Sequence, residues 1–257
     1  MMKHLLAATA LLWSLVLPPT GFSFASDFYK GFADDLHSKQ DVREDKEELY
    51  ERIFMEMEAK ELGIETENKG LKQIAKQVAE TKIKRSARKL GLETEGKDIK
   101  ELAKEVHHAE VKQKADELGI DQKGKDPQLL AENVYEEMLR QKAEELGVEK
   151  DERDLRGLKQ AVLKAVIKNE ADELGIDRKG KSVQRLREDI HDQKLIQTAE
   201  ELDLETMDKD TSDLFDEIVT EHAEEAKKKR LFPFEKRDGD FFWDTMKKTH
   251  HGQMNNE

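Results

Sequence analysis

An Ala-x-x-Leu-Gly-aliphatic phrase recurs six times in this chain, 28 residues apart, with no insertion between copies. The leucines are Leu62, Leu90, Leu118, Leu146, Leu174 and Leu202, and the alanines are Ala59, Ala87, Ala115, Ala143, Ala171 and Ala199. A glycine follows every leucine except Leu202, where Asp203 stands instead. A gapless period of this length means one supersecondary unit copied in tandem. It restricts the chain to architectures in which each copy buries its apolar face against the next.

Local signals place the helices. Asp98 is an N-cap residue, matched in register by Asp126, Asp154, Ser182 and Asp210. Pro127 falls at a first helical position, where its missing N–H costs nothing. Gly119 suits the left-handed residue just past a helix end. The spacing therefore predicts a helix from 99 to about 118, roughly 30 Å long. Within it, Ile99, Leu102 and Val106 share one sector of about 60°, and Val111, Ala115 and Leu118 share another, roughly 150° away. The first half of each helix then faces one neighbour and the second half faces another. The folding unit becomes the second half of one helix, the linking phrase and the first half of the next.

The ends of the array fit this reading. Lys46 stands in the first helix where Leu102 stands in the third, as expected of a helix with no upstream partner. Lys227 and Arg230 replace the Ala and the Leu in the last helix, as expected with no downstream partner. The fold class is all-α: a string of six overlapping helix–loop–helix units with a 28-residue period on seven helices. A continuous coiled coil would leave the glycines and the five-residue step from Val106 to Val111 unexplained.

Outside the array the pattern changes. Lys3 is the sole charge in the first 25 residues, Leu5 to Leu17 is a nearly unbroken apolar run, and Ser23-Phe24-Ala25 supplies small residues at the cleavage positions. Residues 1–25 read as a cleaved signal peptide, since the run falls short of the roughly 20 residues a membrane span needs. The expected localisation is secreted or cell-envelope associated, in a bacterium, with cleavage near Ala25. Residues 26–44 read as an N-terminal linker or short helix, 45–230 as the array, and 231–257 as an aromatic-containing, partly disordered C-terminal tail. The chain has no cysteine, so an exported form must hold together by packing alone.

The phrase Leu90-Gly91-Leu92-Glu93-Thr94-Glu95-Gly96-Lys97, followed by Leu102 and Val106, resembles the SAP / HeH (helix–extended loop–helix) group of small domains. Gly124-Lys125 and Gly180-Lys181 repeat its second half, and the resemblance covers residues 45 to 222 as six overlapping copies. It implies a fold that binds DNA or protein partners.

The candidate binding residues are of two kinds. Each linking phrase carries a cation: Lys69, Lys97, Lys125, Arg153, Lys181 and Lys209. Each also carries an acid two residues after the Gly position: Glu65, Glu93, Asp121, Glu149, Asp177 and Glu205. The cations form either a comb for a polymeric anion or a set of ion pairs or helix-end contacts that shape the loops, with the acids offsetting them. The second kind is aromatic. Phe232, Phe234, Phe241, Phe242 and Trp243 follow the array, either covering its last unit, as terminal repeats require, or docking a partner.

Other constellations are bland. Glu105 with His108 and Glu188 with His191 are Glu-x-x-His phrases, but they are three repeats apart and one residue out of register, so no shared metal site is expected. His107 and His191 fall at a register position on the rim of the core. Asp208, Asp210, Ser212 and Asp216 lack the Gly and Glu of a calcium loop and read as helix capping. There is no nucleophile elbow, phosphate-cradling loop or dinucleotide fingerprint.

The expected function is non-enzymatic, with no catalytic residues, cofactor or metal: an exported structural or protein-binding scaffold. Its expected partner is a protein or cell-envelope component, with no transmembrane segment in the mature chain. The alternative, from the resemblance, is a nucleic-acid-binding protein. The formal net charge of −13 argues against nucleic acid, because a net anion is repelled by phosphate.

Overall fold

Capping side chains start four of the helices where the sequence places them. In a computed structural model describing residues 40–149 and 155–235, Asp98 Oδ1 accepts the backbone N–H of Lys100 at 2.8 Å and of Glu101 at 3.3 Å. Asp126 caps Gln128 and Leu129 in the same way, Ser182 caps Arg185, and Asp210 caps Asp213. Asp154 lies outside the described residues. The helices are α1 (Gln40–Leu62), α2 (Leu71–Lys89), α3 (Ile99–Glu117), α4 (Pro127–Glu145), α5 (Leu155–Glu173), α6 (Val183–Glu201), α7 (Thr211–Thr220) and α8 (Ala223–Lys229). There is no strand among the described residues. α2 to α6 are each 19 residues long and start 28 residues apart. α1 begins at Gln40, five residues before the boundary expected for the array.

The recurrent phrase is the helix stop. The carbonyl of each alanine accepts the amide of the residue five positions on: Ala59 from Ile64 at 2.9 Å, and Ala87, Ala115, Ala143, Ala171 and Ala199 from Leu92, Ile120, Val148, Ile176 and Leu204 at 2.8 Å. This is the Schellman closure, and it needs a left-handed residue inside it. Gly119 supplies φ +68°, and Asp203 reaches +56°, which a short polar side chain tolerates. All six alanines are fully buried, so nothing larger fits where one helix end meets the next helix.

The packing follows the two stripes. Val111 and Ala115 of α3 meet Leu130 and Val134 of α4 in one core. Leu139 and Ala143 of α4 meet Leu158 and Val162 of α5 in the next, and the same pattern joins α1 to α2, α2 to α3 and α5 to α6.

Two features depart from the sequence reading. The seventh helix, Thr211–Lys229, occupies the span of one repeat helix but is broken at Glu221 and His222 into α7 and α8. After the break the register is one residue short. Ala226, not Lys227, is the fully buried alanine; its carbonyl accepts the Leu231 amide at 2.8 Å, with Arg230 at φ +58°. The stopping closure thus forms a seventh time without the phrase, and the expected loss of the stripe is corrected.

The second departure concerns the ends. The first helix does have a partner: α1 packs against α7. Tyr50, in register with Val106, is buried in one core with Leu195, Leu214, Phe215, Ile218 and Phe232. Its ring meets Phe215 edge-on, centroids 5.1 Å apart. Its hydroxyl donates to Asp216 at 2.8 Å, beside Lys46 on the same carboxylate at 2.9 Å. Lys46 therefore stands in the Leu102 position as a cross-seam ion pair rather than as the mark of an unpartnered face. Lys60–Glu224 and Lys227–Glu61 also bridge the seam. Each helix touches its successor and the first touches the seventh, so the string closes on itself.

Candidate functional site

Each linking loop that is described throughout turns on two left-handed residues five positions apart. In the loop after α3 these are Gly119 and Gly124, while Asn68 and Asp208 fill the second position in the first and last loops. The candidate cation follows that second residue, at the foot of the next helix. Lys97 Nζ reaches Glu105 at 2.5 Å, Lys181 reaches Asp189 at 2.6 Å, and Lys209 reaches Glu217 at 2.5 Å. Lys69 donates to Gln77 at 2.9 Å and to the Glu65 carbonyl oxygen at 2.6 Å. In these four loops the side-chain partner is eight residues on, in the second turn of the following helix.

This pairing differs from the one expected. The acids two residues after the Gly position do not take these cations among the described pairs. Asp121 and Asp177 instead accept the backbone N–H of Lys123 and Lys179, both at 3.0 Å, which folds the loop back on itself. The signal for the true pairing was present in the sequence: the position eight residues after the cation reads Gln77, Glu105, Asn133, Ala161, Asp189 and Glu217. Lys125, which has the uncharged Asn133 at that position, is half-buried. Arg153 lies outside the described residues. Partly exposed pairs of this kind stabilise by about 0–1 kcal/mol each, so they orient loops more than they hold the fold. The three carboxylate pairs also weaken the field that Lys97, Lys181 and Lys209 present to a polyanion.

The aromatic residues divide. Phe232 is 6% exposed, meets the His191 ring edge-on at 5.2 Å, and lies 5.7 Å from Lys194 Nζ. Phe234 stacks on Phe54 of α1 at 4.7 Å. Both rings sit in the closing seam, which extends the array to residue 235. Phe241, Phe242 and Trp243 lie outside the described residues. Sequence reasoning missed Lys194, which clamps this corner by pairing with Glu170 at 2.6 Å and Glu235 at 2.8 Å. Burial opposes its charge, but hydrogen bonds to the two carboxylates outweigh that and hold the ammonium above the ordinary lysine range.

The remaining constellations are dispersed. Glu105 is taken by Lys97 and Glu188 by Arg185, so neither Glu-x-x-His phrase presents an unpaired carboxylate. Burial, with Lys112 nearby, lowers the His108 pKa. Asp210 caps α7, while Asp216 faces α1. Burial and then the Asp216 carboxylate push the Tyr50 hydroxyl well above the usual tyrosine range. Among the described residues no three His, Cys, Asp or Glu side chains converge as a metal site. No helix there is long and apolar enough to cross a membrane. Set against family models, curated proteins and solved structures, the chain gives no match.

Proposed function

We propose that this chain is an exported, non-enzymatic scaffold that binds a protein or cell-envelope component. The observation that carries the reading is the closing of the array by Tyr50, Phe54 and Phe215 against the C-terminal segment. A closed string has no fraying terminal unit, so its loops keep fixed relative positions. That is what a display surface requires. The local pairing of Lys97, Lys181 and Lys209 supports the scaffold over the nucleic-acid alternative suggested by the SAP / HeH resemblance.

The test is capture from an envelope extract with protein beginning at Ser26, set beside duplex-DNA binding near physiological salt. Saturable capture of a protein with no DNA binding is the expected result. Salt-sensitive DNA binding, weakened when Lys97, Lys125 and Lys181 become Gln, would replace this function with nucleic-acid recognition. The export element is tested separately, by N-terminal sequencing of the secreted form.

A further inference from the structure

The closing seam holds a cleft of about 800 Å³. Its walls come from opposite ends of the array: the second half of α1 with the loop at 63–67, and the break between α7 and α8. That volume falls within the roughly 300–1,000 Å³ of ordinary ligand sites. The floor is apolar: half-buried Ile53 and Ile64 face the cleft, over the buried Met57, Val219 and Ala223. The rim is acidic. Two of its glutamates are already paired, Glu56 with Arg52 at 2.8 Å and Glu224 with Lys60 at 2.7 Å. Glu65, Glu67 and Glu221 are exposed on the rim with no ion pair among the described residues.

Backbone dipoles add to this charge. α1 ends at Leu62 and α7 ends at Thr220, both beside the cleft. Each helix C-terminus contributes roughly half a negative charge. The positive end of the short α8 also lies here and offsets the α7 end, which leaves the α1 C-terminus as the dipole contribution to the cleft.

An apolar floor under a rim with three glutamates outside any described ion pair, where Lys69 reaches the Glu65 backbone carbonyl and not its carboxylate, fits an amphipathic cation. We propose that the cleft binds a basic peptide segment of a partner protein. Lysine or arginine stems lie along Ile53 and Ile64, with their charged heads at Glu65, Glu67 and Glu221. A bare metal ion would make no use of the floor, and an anionic segment would be repelled. This inference rests on the scaffold reading and names the chemistry of what the scaffold holds.

The probe is a fluorescein-labelled hexapeptide of alternating lysine and leucine with blocked ends, followed by anisotropy on the full chain. Saturable binding is expected, with none for the glutamate–leucine counterpart. The triple variant Glu65→Gln, Glu67→Gln, Glu221→Gln should weaken binding about tenfold. All three side chains are exposed, and circular dichroism checks that the fold is kept. A control triple variant on other units, Glu93→Gln, Glu101→Gln, Glu173→Gln, changes the net charge equally and should leave binding unchanged. Equal weakening in both triples would overturn the proposal, since general attraction to an acidic chain would then explain it. Binding that tightens when the chain is cut after Glu235 would also overturn it, because the chain's own C-terminal residues would then be the occupant. The two readings fail separately. A captured envelope protein that binds the cleft variant as tightly as the unaltered chain defeats the cleft alone; capture of nothing saturable defeats the scaffold while leaving the peptide result standing.

Discussion

Leu130→Ala tests the energetics of a single unit. Leu130 is 1% exposed and shares its core with only three other buried residues, Val111, Ala115 and Val134. Truncation removes three carbons, or about 2.4 kcal/mol at roughly 0.8 kcal/mol per methylene. The cavity left behind raises the total to about 3–4 kcal/mol. A core of four buried side chains is marginal alone and depends on its neighbours, so the loss should appear first as local opening of α3 against α4. Native-state hydrogen exchange reads this directly. Protection between Val111 and Val134 should fall at least about 100-fold, while amides near Ile190 and Ile218 keep theirs. Leu118, half-buried at the edge of the same core, should cost less on truncation, about 1–2 kcal/mol. Val111→Ala combined with Leu130→Ala should be non-additive, because both open the same cavity. A uniform loss of protection along the whole chain would refute the reasoning and make the array one cooperative block.

Tyr50→Ala with Phe54→Ala should open the closed string and raise the radius of gyration seen by small-angle scattering. About 1 M salt alone should not, because the seam's exposed ion pairs contribute only about 0–1 kcal/mol each. Asp126→Ala should cost about 1 kcal/mol in thermal or chemical unfolding by removing the α4 cap. Asp203→Gly should stabilise by about 1 kcal/mol, and Gly119→Ala should do the reverse, since both sites are left-handed. Lys194 has a raised folded pKa, so the stability its clamp contributes is fully present below the ordinary lysine value and is lost as pH rises through the higher folded value. Alkaline unfolding should therefore begin at the α6–C-terminal corner, and Lys194→Met should flatten that limb of the pH profile.

The helices, their caps and their stops were legible because each is set by residues within one turn of it. Asp98, Asp126 and Ser182 satisfy amides two or three positions away, and each alanine–glycine stop closes over five residues. Repetition made those short-range signals unmistakable. The two-stripe division of each helix was legible for the same reason, since 100° per residue converts spacing directly into direction. The loop cations were found but their partners were not: a neighbouring acid looks nearest in sequence, yet the left-handed residue before each lysine turns it toward the helix that follows. The break at Glu221 was hidden because a one-residue slip moves Ala226 into the place where the period puts Lys227.

The closure was not readable in the sequence. Whether a string of units curls back on its beginning depends on the small rotation at every joint, summed over six of them, and no local residue pattern carries that sum. Tyr50, Phe54, Phe215 and Phe232 could be read as covers for two separate ends. Only the accumulated geometry brings those ends together into one core, and only there does the acid-rimmed cleft exist. The unit, its period and its all-helical class were readable in the chain, because they follow from contacts between near neighbours along it. The shape of the assembled array followed from contacts between residues some 170 positions apart, such as Lys46 and Asp216.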